Sequence, residues 1–386
     1  MELAKATRDW QKSATAEFFE LAAQMKATGH DIIDLSVGQP DFNTPDVVKQ
    51  AAIKAILGNQ TRYTPVKGIK PLLEAISASL GKEGLDYDAS SEIIAGLGGK
   101  EPLSLAFKVI LNPGDEVIIP IPCWPDFVAM VRDCGAIPVL YDMRNGSSGL
   151  GHVITDKTKA VVVNSPSNPT GMVWPNEWLE ELAKLLAGTK IWIVADEVYK
   201  DIVFAPAVFH SSASYPGMKK RTILVRAASK TYAMTGWRIG YAAGPKEVIA
   251  KMAVKKQQTT NCTPTISQFA YLAALTEDEA AQDVRAMVAE YQGRLKKQIL
   301  PFAQKLELQF GSEYFIPEGA FYLFFQLPKA WHRDCLGFCK DLLHQKLVAV
   351  VPGCGFEYPG WVRLSYAAPS AQIEAGLAKI WEFLLS

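Results

Sequence analysis

The sequence lacks a net charge, a paired-cysteine motif, a histidine motif and any apolar run long enough to cross a bilayer. Lys+Arg and Asp+Glu both number 40, so no overall basic field recruits nucleic acid or an anionic membrane, and a small-molecule partner is favoured. Six cysteines (Cys123, Cys134, Cys262, Cys335, Cys339, Cys354) include no CxxC pair, which in a chain of 386 residues fits free thiols in a reducing compartment. Cys335 and Cys339 stand one helical turn apart. With no second pair or histidine cluster following, they read as small apolar residues of one helix face. The five histidines show no HExxH or comparable spacing, and no metal site is expected. Residues Met1 to Trp10 carry charges where a signal peptide needs an apolar core, so the expectation is a soluble, cytoplasmic protein.

What is present is ordinary globular composition, 49% hydrophobic and 21% charged, at a length that suits a large core plus a second domain. From about residue 92 to 258, short β-branched runs alternate with amphipathic stretches, the pattern of a doubly wound α/β sheet covered by helices on both faces. The runs are Glu116–Ile119, Ala136–Leu140, Ala160–Val163, Ile191–Val194, Thr222–Val225 and Ile239–Ala242. Beyond residue 265 the pattern changes to long charged helices, with Glu277 to Leu306 reading as one stretch interrupted near Pro301. A smaller α+β domain follows, with strands at Gly319–Phe325 and Trp361–Tyr366 and a closing helix from Gln372 to Leu385. The expected organisation is a segment 1–34 packing on the small domain, a large domain 35–275 and a small domain 276–386.

In such sheets ligands sit beyond the carboxyl ends of the strands, so the residues after each run are the informative ones. The most distinctive stretch is Ser229-Lys230-Thr231-Tyr232-Ala233-Met234-Thr235-Gly236-Trp237-Arg238-Ile239-Gly240-Tyr241. A lysine held away from water loses part of its preference for the proton, and its amine becomes available for imine formation with a carbonyl. Arg238, after a glycine turn, offers a planar fork suited to phosphate. Asp196 follows Ile191–Val194 and either faces a ligand or caps what comes next. Gly96-Leu97-Gly98-Gly99-Lys100 leads into a helix whose free N–H groups favour a phosphate, although the third glycine of a dinucleotide fingerprint is missing. Trp124 offers a flat ring to stack, and Asn168 and Tyr199 an amide and a phenol. A phosphate cradle (Gly99, Lys100, Arg238), a ring, an acid, an amide, a phenol and an imine-forming lysine together fit pyridoxal 5'-phosphate.

On these residues the chain resembles a class I/II aminotransferase of the fold type I pyridoxal-phosphate superfamily, close to the bacterial aspartate aminotransferases. The similarity runs from Leu35-Ser36-Val37-Gly38-Gln39-Pro40-Asp41-Phe42 to Val362-Arg363-Leu364-Ser365-Tyr366. Between these lie Tyr63-Thr64-Pro65 to Gly68, Gly98-Gly99-Lys100, Asn168-Pro169-Thr170-Gly171 and Asp196-Glu197-Val198-Tyr199. The resemblance implies a mixed, mostly parallel sheet and ping-pong transfer of an amino group from an L-amino acid to a 2-oxo acid through pyridoxamine phosphate. By the same resemblance Lys230, Asp196 and Tyr199 are catalytic. Ser229 and Tyr63 join the cofactor set, and Tyr63 reaches the neighbouring subunit of a homodimer that shares its active site. Gly38, Trp124, Asn168 and Arg363 contact the substrate, Arg363 gripping the α-carboxylate. Asn168–Pro169 is expected to be cis.

One position departs from the family: relatives usually carry a serine three residues before the lysine, where this chain has Ala227. Carbon–sulfur β-lyases, ACC-synthase-like enzymes and amino-acid oxidases use the same lysine, aspartate and arginine, so the fold alone does not separate them. A nicotinamide oxidoreductase, suggested by Tyr63-x-x-x-Lys67, is opposed by Pro65, which breaks the helix that such a pair needs. A non-catalytic binding protein is opposed by the intact lysine and arginines. For the substrate side chain, Lys12 beside Ser13-Ala14-Thr15 and Lys108 are cationic candidates, and Phe18, Tyr232 and Phe356 are aromatic ones.

Overall fold

Alternate residues of the apolar runs divide between two cores. Val161, Val163, Ile193, Ala195 and Leu224 pack into one, and Ala160, Val162, Val194, Ile223 and Val225 into the other. A period of two with both faces buried is what a central strand covered on both sides requires. The computed structural model describes residues 14–386. The runs become β1 (Ile93–Gly96), β2 (Glu116–Ile121), β3 (Ile137–Asp142), β4 (Thr158–Asn164), β5 (Trp192–Asp196), β6 (Thr222–Ala227) and β7 (Gly240–Ala243). They form a sheet ordered β1-β7-β6-β5-β4-β2-β3, parallel throughout except for β7, which runs antiparallel to both of its neighbours.

Helices Lys100–Ile110, Asp126–Asp133 and Lys246–Gln257 supply one face, and Lys70–Gly81, Asn176–Leu186 and Thr265–Thr276 the other. Several begin behind a proline, among them Asn176–Leu186 behind Pro175 and Lys246–Gln257 behind Pro245. The fixed φ of proline suits the residue just ahead of a first turn, and its missing N–H is not needed there.

Two compact units divide the chain: Gln39–Gly293 with Pro317–Ala320, and the remaining segments up to Gly38, Arg294–Ile316 and Phe321–Ser386. The expected boundary at 275 therefore differs from the observed division. The helix Asp278–Arg294 is tied to the larger unit, where Tyr291 Oη donates to Asp41 (3.1 Å) and its ring meets Phe42 edge-on. The long stretch is also interrupted earlier than expected, by a π turn at Leu295–Ile299, and Pro301 sits in the first turn of the next helix, Leu300–Phe310. A proline cannot donate to the carbonyl four residues back and its ring crowds that carbonyl, so the preceding turn widens.

In the smaller unit, β8 (Tyr314–Phe315), β9 (Tyr322–Gln326), β10 (Val351–Pro352) and β11 (Trp361–Ser365) form an antiparallel sheet ordered β10-β11-β9-β8. Helices Cys335–Lys346 and Ser370–Leu385 complete it, and helix Ala14–Ala27 packs on β10 with Phe18 buried.

Candidate active site

In the larger unit the sequence candidates gather at one end of the sheet. Trp124 follows β2, Asn168 follows β4, Asp196 ends β5 and Lys230 follows β6, while Gly98 and Gly99 follow β1. Because β7 is reversed, Arg238 just before it lies at that same end.

Asp196 is buried, and it accepts a hydrogen bond from Val198 N–H at 3.3 Å. A turn rather than a helix follows, so Asp196 caps no helix. Burial pushes its carboxyl up to about 7. The Val198 N–H counters this, Glu197 adds to it, and the Lys230 ammonium pulls back. Half-buried Lys230 stands in the short helix Ala228–Thr231, with Nζ 5.9 Å from the centroid of the buried Tyr199 ring. Asn168 lies in a tight turn, its N–H donating to Asn164 Oδ1 (3.0 Å), and the Asn168–Pro169 bond is cis.

Gly98 holds φ +64, and a Cβ there would stand 2.8 Å from the Arg238 guanidinium. A Cβ on Gly99 would meet Val198 at 3.1 Å and Ala227 at 3.9 Å. Bare backbone at the start of helix Lys100–Ile110, with a guanidinium beside it, has the features that suit an anion. Lys100 contributes its backbone at the first helical position. Its ammonium is instead paired with Asp126 and lies 5.4 Å from the Trp124 ring centroid. Ser229 is buried next to Lys230. Tyr63 is 87% exposed in a loop, the Lys67 ammonium of that loop bonds Ser90 O, and Tyr63 and Lys67 share no helix.

The smaller unit holds Arg363 and Gly38. Arg363 is buried on β11, donates Nη2 to Ser36 O at 2.5 Å, and lies over Tyr322 (4.4 Å) and Phe356 (5.0 Å). A Cβ on Gly38 would stand 2.6 Å from the Tyr322 hydroxyl. Of the substrate side-chain candidates, Lys108 is paired with Asp133 (3.0 Å). Phe18 and Phe356 are buried in the smaller unit, Tyr232 is half-buried in the larger, and Lys12 and Ser13 lie outside the described residues.

The family model for aminotransferase class I and II matches residues 30–380. The chain belongs to that family. This aminotransferase is 38% identical to the aspartate aminotransferase of Geobacillus stearothermophilus over 100% of its own length and 99% of the relative's. The structure of the Thermus thermophilus aspartate aminotransferase with maleate matches at a TM-score of 0.91 and 35% identity, covering 99% of both chains. A Methanococcus jannaschii protein, described as similar to kynurenine aminotransferases in its active site, matches at 0.90 and 34% identity, covering 99% of this chain and 100% of that one. The fold is that of fold type I aminotransferases, and the activity is transamination dependent on pyridoxal phosphate. The lyase, synthase and oxidase readings are not favoured.

The residues present fit that cofactor. A carboxyl held up at about 7, chiefly by burial, would become a stable carboxylate with a cationic ring nitrogen beside it, and the Gly98–Arg238 cradle suits a phosphate.

Sequence reasoning missed a charge network centred on the buried pair Arg226 and Glu197. Arg226, on β6, donates Nε to Glu197 (2.9 Å) and Nη1 and Nη2 to Glu83 (2.9 and 2.8 Å), and its Nη2 also meets Glu197 at 2.8 Å. Lys200 bridges Glu83 (3.0 Å) and Asp201 (2.6 Å), and Thr231 Oγ1 donates to Asp201 at 3.0 Å. Burial raises the Glu83 carboxyl, but Arg226 and Lys200 outweigh it and the net is a lowering. The available signal was an arginine inside the apolar run Thr222–Ala227, since a buried arginine needs carboxylates.

Proposed function

We propose that this aminotransferase moves the amino group of an aspartate-like L-amino acid to a 2-oxo acid such as 2-oxoglutarate, with the roles below. The observation that carries the reading is the buried Asp196 carboxyl beside Lys230, at the same sheet end as the Gly98–Arg238 cradle. Pyridoxal phosphate, when bound, supplies an aldehyde carbon that takes up an amine and a protonated ring that draws off the electron pair released at the donor's Cα.

Asp196 keeps the proton on the ring nitrogen. Lys230 Nζ would hold the aldehyde carbon and, as a free amine, would move the proton at the donor's Cα. Asn168 and Tyr199 would bond the phenolic oxygen, and Trp124 would stack on the ring. Gly99, the Lys100 N–H, Ser229 and Arg238 hold the phosphate. Arg363 takes the substrate α-carboxylate as a bidentate pair beside Gly38, its guanidinium oriented by the Tyr322 and Phe356 rings.

Preference for an acidic donor is supported by the aspartate aminotransferase relatives and by the Thermus relative solved with maleate, a dicarboxylate. A homodimer in which Tyr63 reaches the other subunit's phosphate is supported by the 87% exposure of Tyr63 and by exposed Ile53, Ile56 and Leu57. Free cysteines suit a cytoplasmic setting. No described helix is long and apolar enough to cross a membrane.

The test is a screen of amino donors against 2-oxoglutarate. Aspartate is expected to give the highest kcat/KM, with glutamate formed in equal amount to the oxo acid. Equal rates on apolar, aromatic and acidic donors would defeat the acidic preference, and release of ammonia in place of glutamate would defeat transfer. A second expectation concerns Ala227, whose side chain lies next to Gly99. Ala227→Ser adds a hydroxyl at the cradle, and one new neutral hydrogen bond is worth on the order of 1 kcal/mol, so pyridoxal phosphate should bind roughly fivefold tighter by absorbance titration. Unchanged affinity would place position 227 outside the phosphate's reach.

A further inference from the structure

Among the described residues, Lys256 is the one charged residue of the largest fully buried side chains, in the last turn of helix Lys246–Gln257. A lysine removed from water needs its three donors engaged. Nζ gives one to Ala95 O on β1 (2.6 Å) and one to Thr263 Oγ1 (2.6 Å), and it lies 3.9 Å from Glu101 Oε2. Burial lowers its affinity for the proton, and Glu101 restores part of it.

These partners hold the glycine turn. Glu101 Oε2 accepts the Leu97 N–H at 2.6 Å, and Thr260 bonds the other carboxylate oxygen. The turn from Ala95 to Gly99 is thus fixed at a carbonyl by the ammonium and at an N–H by the carboxylate facing that ammonium. The relay continues to a second loop. Thr263 O accepts from Gln268 Nε2 (2.8 Å), which also donates to Thr64 Oγ1 (2.9 Å), and Gln268 Oε1 accepts the Ile69 N–H (2.7 Å). Ala95 N–H closes the circuit on Lys67 O at 2.7 Å.

We propose that Lys256 is a positioning residue of the phosphate subsite, its buried ammonium setting the Ala95–Gly99 turn through Ala95 O and Glu101 and the Thr64–Ile69 loop through Thr263 and Gln268. The inference rests on the reading that this turn holds the cofactor's phosphate. The Lys256 side chain touches no reacting atom in that reading. It acts by fixing where the backbone N–H groups point, and an anion bound by backbone dipoles is sensitive to such placement.

The test compares two ligands with the same ring and aldehyde, pyridoxal phosphate and pyridoxal, titrated by absorbance into the cofactor-free wild type, Lys256→Met and Thr263→Val. The Met stem replaces the lysine's volume without its charge. Thr263→Val keeps the shape of the threonine, removes one acceptor of the ammonium and serves where Lys256→Met fails to fold. The wild type is expected to prefer pyridoxal phosphate. That preference should fall roughly tenfold in Lys256→Met and severalfold in Thr263→Val, with pyridoxal affinity unchanged. Retention of the full preference in either variant, or equal loss of both ligands, overturns the inference. Absence of the preference in the wild type overturns the phosphate reading itself, and the role of Lys256 with it.

Discussion

Asp196→Asn is expected to lower kcat by roughly 10²–10³ and, in the cofactor-free protein, to raise stability at pH 8. The first effect follows from its proposed role, since removing one preorganised partner of the reacting charge typically costs that much. The second follows from burial. The folded carboxyl titrates near 7 and the unfolded one near 3.8, so between these values the folded chain holds a proton that the unfolded chain has released. Stability contributed by the protonated group is therefore full below 3.8 and is lost progressively as pH rises to about 7, a total of roughly 4 kcal/mol. Asparagine does not ionise and escapes this loss. Thermal unfolding of the two cofactor-free proteins at pH 5 and pH 8 should show the gap moving in favour of Asp196→Asn by roughly 2–3 kcal/mol. With cofactor bound, the ring cation restores the advantage of the aspartate and the order reverses. A gap independent of pH would mean that Asp196 ionises in the folded chain as an ordinary carboxylate does.

Arg226→Met is expected to be the most destabilising single change outside the apolar cores. It removes the guanidinium from Glu197, which is 2% exposed, and from Glu83. Breaking a buried pair from one side typically costs about 3–5 kcal/mol, because the remaining charge is stranded. In a unit of this size that lowers Tm by on the order of 10 °C. Glu197 retains only the Ser211 hydroxyl at 2.5 Å among its former side-chain partners. Adding Glu197→Gln should recover part of the loss, since a neutral amide is cheaper to bury than an unpaired carboxylate. If the double variant is no better than the single one, the loss comes from packing and not from stranded charge. Because Glu197 follows Asp196 directly and Arg226 precedes Ala227, the network also braces the ends of β5 and β6 from which Asp196 and Lys230 emerge.

The residues that follow strand ends were legible because two simple rules converge on them. Period-two apolar runs locate the strands, and ligands collect beyond the carboxyl ends of such strands. Asp196 and Lys230 follow such runs, Arg238 was legible from the glycine turn before it, and Gly98 and Gly99 from the small residues that open a helix. Lys256 was not legible. In Lys255-Lys256-Gln257 it reads as the solvated end of a helix, and only the three-dimensional return of that turn to β1 buries it. Glu83 and Arg226 are far apart in sequence and meet only when the fold is complete. Lys100 shows how a motif's charge can mislead, since its ammonium is engaged by Asp126 and only its backbone stands at the start of the helix. The π turn at Leu295–Ile299 lay upstream of its cause, since a proline disturbs the carbonyls before it.

The reversal of β7 bears on how the site is assembled during folding. A parallel successor to β6 would carry the chain across the sheet through a long crossover before returning. Instead, the connection Ala228–Ile239 leaves β6 and enters β7 at one end, pairing Ala227 with Gly240. Lys230 and Arg238 are thus spaced by a short local closure, whose entropic cost is small and which needs no other strand in place. The separation of the amine from the guanidinium is thus set within one local connection, whereas the glycine turn of β1 reaches them from a distant part of the chain.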